Sequence, residues 1–138
     1  MSVDRMTLKR AVVGVLDAIA SEHPLRHQPS KARRYILAAP SGTPLEIMFE
    51  QDVASPVNLW MALKAAGPLS SKGAVSMASS LRTRTGRRGN VLYGRHSALE
   101  RMPQLGDADL VRISIDRFEE LGVVLDQLFA ASATRVVV

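Results

Sequence analysis

The sequence predicts an α+β fold: a mainly antiparallel sheet of about four strands, with an N-terminal and a C-terminal amphipathic helix packed on one face. Three observations carry this. Apolar residues recur at helical spacing near both ends of the chain, they alternate at period two between, and Pro- and Gly-containing turns separate the stretches. A length of 138 residues suits one domain, 1–138. Helices gathered on one face would leave the opposite face of the sheet open to a partner.

The elements follow in order. Over Thr7–Ser21 the residues Leu8, Val12, Val15, Leu16 and Ile19 fall on one helical face, and Pro24 stops the helix. Arg34–Ala39 reads as a strand, Pro40–Pro44 as a turn, and Leu45–Glu50 as a second strand. In the latter Leu45, Ile47 and Phe49 point to the core, while Glu46 and Glu50 point to solvent. Val57–Leu63 reads as a third strand or as the start of a helix reaching Ala66, because Met-Ala-Leu-Lys-Ala-Ala has high helix propensity. A short helix is expected across Ala74–Leu81, and an exposed loop over Arg82–Gly89, within a basic loop region at about 70–90. Val91–Tyr93 has strand composition. Ser97-Ala-Leu-Glu100 has the form of a capping box for a short helix closed by Pro103. Leu110–Ile115 is a strand. Asp116 and Glu119 then open a helix whose buried stripe is Phe118, Leu121, Leu125 and Leu128, flanked by Val124 and Phe129. Arg135–Val138 is a candidate edge strand.

Composition narrows the function. Hydrophobic residues make up 46%, enough for a core, and aromatics only 4%, so that core is aliphatic. The absence of cysteine excludes a disulfide framework, a thiolate nucleophile and a thiolate metal site. No apolar run approaches the roughly 20 residues of a membrane span, and no signal-peptide pattern is present, so a cytoplasmic protein without membrane contact is expected.

Charge is unevenly distributed. The net charge is +5, yet residues 53–99 carry seven Lys/Arg and no acid across 47 positions. Residues 1–52 sum to +1 (seven bases, six acids) and 100–138 to −3 (four bases, seven acids). Clustered arginine gains affinity for a polyanion by neutralising phosphates and releasing counterions, and its planar fork pairs with phosphate and with guanine edges. Lys72, Arg82, Arg84, Arg87, Arg88, Arg95 and His96 are therefore the candidate nucleic-acid contacts, and Lys31-Ala-Arg-Arg34 extends the positive surface. The expectation is a small, non-enzymatic accessory domain that binds DNA or RNA without a cofactor or metal. A solvated loop is the plain alternative for any charge run.

Two other functions use the same residues. One is a protein-interaction module docking an acidic partner. The other is a metal-independent ribonuclease centred on His96 in Tyr93-Gly-Arg-His-Ser97, with Arg95 stabilising charge and Tyr93 positioning substrate. His23 and His27, four apart, suggest a metal pair only on a helix that Pro24 forbids, and Glu46, Glu50 and Asp52 are more simply a solvent face than a magnesium site. Trp60 reads as core.

Overall fold

The computed structural model describes residues 4–38, 44–66 and 74–134. Most of the turn at 40–44, the edge strand expected over 135–138, and Lys72 lie outside them. The elements are α1 (Arg5–Ile19), β1 (Ala20–Glu22), β2 (Ala32–Ala38), β3 (Pro44–Glu50), β4 (Asn58–Ala62), α2 (Leu63–Ala66), β5 (Ala74–Met77), β6 (Thr83–Thr85), β7 (Val91–Tyr93), β8 (Leu110–Ser114) and α3 (Phe118–Thr134). Single 3-10 turns occupy Ser79–Arg82 and Ser97–Leu99.

Six strands form one antiparallel sheet in the order β1-β2-β3-β4-β8-β5, while β6 and β7 pair with each other as a separate ribbon. The sheet is wider than the four expected strands because β1 overlaps the end of the first helix as read from the sequence and β5 lies in a stretch read as a short helix. Helix α1 begins two residues earlier than its apolar stripe suggested, since Asp4 Oδ1 accepts the Thr7 amide at 3.0 Å. It also ends earlier, because Ala20, Ser21 and Glu22 pair with Leu37, Ile36 and Tyr35. The ambiguous 57–66 stretch is both things in turn, β4 running directly into α2. Ala74–Leu81 is a strand and a 3-10 turn where a helix was expected.

One face of the sheet presents Tyr35, Ile47, Phe49, Leu59 and Ile113, and these share a core with Leu8, Val12 and Leu16 of α1 and Leu121, Val124 and Leu128 of α3. Phe118, expected in that buried stripe, is half exposed at the start of α3. The start of α3 is capped from inside: Glu120 Oε1 accepts the amides of Asp116 and Arg117, at 3.0 and 2.8 Å.

The opposite face is not open. Leu99, Met102 and Leu105, from the irregular segment between β7 and β8, pack on Met48, Trp60 and Leu110 as a second core. This overturns the assignment of Glu46 and Glu50 to solvent. Both are buried, and each has partners that offset its desolvation. Glu46 Oε2 lies 2.6 Å from His23 Nε2, and its Oε1 accepts the amides of Gln104 and Leu105 at 2.7 and 3.0 Å. Glu50 Oε2 accepts from Asn58 Nδ2 at 2.8 Å and from Trp60 Nε1 at 2.7 Å. No helix among the described residues is long and apolar enough to cross a membrane.

Candidate nucleic-acid interface

The basic loop is a β-hairpin. Thr83, Arg84 and Thr85 pair with Tyr93, Leu92 and Val91, and the Gly86 amide donates to the Asn90 carbonyl at 2.7 Å. Closure within Gly86-Arg-Arg-Gly-Asn90 leaves three residues in the loop. Gly89 has φ +77°, and its amide donates to Gly86 O at 3.0 Å. This is the three-residue hairpin loop in which a tight turn is followed by one left-handed residue, a position that favours glycine.

The geometry puts Arg87 and Arg88 at the tip. Pairing partners in an antiparallel ribbon share a face, so Arg84 lies with Leu92, and Thr83, Thr85, Val91 and Tyr93 lie on the other side. Arg84, Arg87 and Arg88 are exposed, as is Val91 at 74%. No ion pair recorded among the described residues involves any of these three arginines. The Thr83 side overlooks Glu100 and Asp107 across a cavity of about 310 Å³. The backbone of Arg82 closes the 3-10 turn before β6; its side chain, like Lys72, lies outside the described residues.

Arg95 departs from the expected set. It is 6% exposed, and its guanidinium serves as a bracket for backbone carbonyls. Nη1 donates to Ala108 O at 2.5 Å and Met77 O at 3.2 Å, and Nη2 to Gly106 O at 2.7 Å and Leu105 O at 3.3 Å. Both terminal nitrogens are thereby committed, and a phosphate has no route to them in this conformation. Tyr93 Oη donates to Gly106 O at 3.0 Å, and its ring lies 5.8 Å from the Arg95 Cζ. Burial raises the phenol above its ordinary value. Together they fasten the base of the hairpin to residues 105–108. Gly94 completes the anchor, because a Cβ there would lie 2.1 Å from the Leu81 carbonyl oxygen.

His96 is held differently again. Its Nδ1 accepts the Ala98 amide at 3.1 Å, so His96, and not Ser97, caps the following turn. An amide can only donate, so the neutral imidazole must carry its proton on Nε2, which faces Glu50 Oε1 at 3.9 Å. Neither ring nitrogen then has a lone pair to offer as a general base. Burial lowers the imidazole below its ordinary value, with Glu50 and Asp52 acting upward and Lys31 downward. His96, Glu50, Asp52, Lys31 and Ser97 line a cavity of about 390 Å³. No hydrogen bond or ion pair among the described residues joins His96 to Arg95 or Tyr93, so the three do not form one constellation.

The second basic cluster is also committed. Arg33 meets Asp17 at 3.2 Å, and Arg34 donates to the carbonyls of Arg26, Leu25 and Ala98 at 2.7, 2.9 and 3.2 Å. Only Lys31 of that run is exposed. His23 and His27 each accept a backbone amide at Nδ1, from Leu25 and Arg34, both at 3.0 Å. Among the described residues no group of three or more His, Asp or Glu is placed to hold a metal ion.

The ribbon itself was the feature missed in the sequence. Its signal was the glycine spacing in Thr-Gly-Arg-Arg-Gly-Asn, which fits a three-residue hairpin loop. No protein-family model matches this chain, and comparison with curated proteins and with solved structures returns no match.

Proposed function

We propose that the chain is a small, non-enzymatic nucleic-acid-binding domain whose contact element is the β6–β7 hairpin. The observation that carries this is the set of exposed arginines Arg84, Arg87 and Arg88 on one ribbon, without acidic partners, in a segment free of acids from 53 to 99. A solubilising charge run needs no fixed geometry. Here a left-handed glycine sets the loop, and Gly94, Tyr93 and Arg95 hold its base, which is the support expected of a presented surface.

Labelled single- and double-stranded DNA and RNA, titrated by fluorescence anisotropy at about 50 and 200 mM salt, should bind and weaken steeply as salt rises. The triple variant Arg84→Ser, Arg87→Ser, Arg88→Ser should lose this binding with its melting temperature unchanged. Undiminished binding by the variant would move the function elsewhere on the molecule. Stoichiometric co-purification of an acidic protein free of nucleic acid would instead favour docking of that partner on the same hairpin. The ribonuclease alternative draws no support from a His96 without a free lone pair or from a Tyr93 and Arg95 committed to carbonyls.

A further inference from the structure

We infer that the polymer is duplex DNA, with the β6–β7 ribbon entering the major groove; this rests on the nucleic-acid reading above and specifies its substrate. Size is the first argument. Two paired strands lie about 4.8 Å apart and occupy roughly 10 Å with their side chains, which fits a major groove about 12 Å wide and not a minor groove of about 6 Å. From Thr83 to Gly86 the strand rises by about 10 Å at roughly 3.3 Å per residue, and the turn carries Arg87 and Arg88 beyond it, which exceeds the groove's depth of about 8.5 Å. The tip arginines can therefore reach the floor while the base stays outside. The major groove of A-form RNA is too deep and narrow for side chains to read, so duplex RNA presents no equivalent slot.

The second argument is what the ribbon lacks. Single-stranded nucleic acid is held by aromatic side chains on which bases stack. The hairpin's single aromatic, Tyr93, is half-buried, with its hydroxyl on Gly106 O. Tyr35, Phe49 and Trp60 are in the cores, and the exposed Phe118 belongs to α3. Among the described residues, then, no stacking platform accompanies the arginines.

Residue placement sets the orientation. Arg87 and Arg88 at the tip have the fork that pairs with guanine O6 and N7, and the exposed Asn90 beside them has the donor and acceptor that suit adenine. Arg84 faces one wall of the groove as a phosphate contact. The Thr83–Val91 face overlooks Glu100, whose charge repels phosphates, so that face turns away from the backbone.

The test uses the full chain and one base sequence presented as duplex DNA, single-stranded DNA and duplex RNA. Duplex DNA should bind at least about tenfold tighter than either. Methyl green, a major-groove ligand, should displace the protein, and distamycin, a minor-groove ligand, should not. Equal or tighter binding to single strands or duplex RNA would overturn the inference while leaving nucleic-acid binding standing. So would displacement by distamycin alone. Binding to none of the three would remove both.

Discussion

Arg95 and the arginines of the hairpin share one side-chain chemistry and meet opposite fates. Arg95 holds four carbonyls in the interior, whereas Arg84, Arg87 and Arg88 touch no acid and reach into solvent. Hydrogen bonds to a charged donor contribute roughly 1.5–3 kcal/mol, and stranding their buried acceptors adds to the loss. Arg95→Ala should therefore cost about 3–5 kcal/mol, measured by chemical denaturation. Arg95→Lys should recover little, because an ammonium lacks the planar fork that spans these carbonyls. Arg87→Ser should stay within about 0.5 kcal/mol of the parent. A small effect at Arg95 would show that the bracket is not needed. In the sequence these positions were indistinguishable, since a run of basic residues says nothing about which guanidinium finds carbonyls at a fold's interior. Histidine adds a pH signature at the same scale. Burial holds His96 and His27 below their ordinary value of 6.5. The unfolded chain then takes up protons first as pH falls, so stability present above about pH 6.5 should decline on acidification towards the lower folded values. Denaturation at pH 7.5 and 5.5 should show this decline. His96→Asn with His27→Asn should flatten it, and an unchanged decline would place its origin elsewhere.

At the scale of elements, the strongly periodic parts of the sequence were legible and the weakly apolar ones were not. Helices α1 and α3 and strands β2, β3 and β8 each carry several core residues at a regular period, whereas the stretch holding β4 reads as either strand or helix. Strands β1 and β5, of three and four residues, carry too few to reveal one. The hairpin is the same case, since Thr-Arg-Thr has no apolar face and its pairing is fixed by the turn. That dependence is testable. A Cβ in the left-handed region costs roughly 1–2 kcal/mol, a large burden for two three-residue strands. Gly89→Val should open the hairpin, seen as faster hydrogen exchange of the Gly86 amide, and weaken nucleic-acid binding with little change in the cooperative unfolding of the cores. Gly89→Asn, which tolerates positive φ, should retain both. Equal behaviour of the two variants would mean that the turn conformation is not required.

For the molecule as a whole, the decisive difference from the sequence reading is that both faces of the sheet are covered. Alternation in β3 marked Glu46 and Glu50 as solvent-facing, because a buried carboxylate can be recognised only once its partners are in place. Those partners come from residues 23, 58, 60, 104 and 105, at separations of 8 to 59 positions that no local pattern reports. With the sheet face closed, the candidate contact surface contracts from a broad basic patch to one ribbon anchored beside the second core. The measurement that tests this most directly is the salt dependence of affinity, for wild type and the Arg84, Arg87, Arg88 triple serine variant, on whichever nucleic acid binds tightest. With Arg84 on a phosphate and Arg87 and Arg88 on base edges, the slope of log affinity against log salt should fall in magnitude by about 0.9, the value of one lost phosphate contact on B-DNA. The melting temperature should not move. An unchanged slope would contradict the account, and with it the assignment of this hairpin as the binding surface.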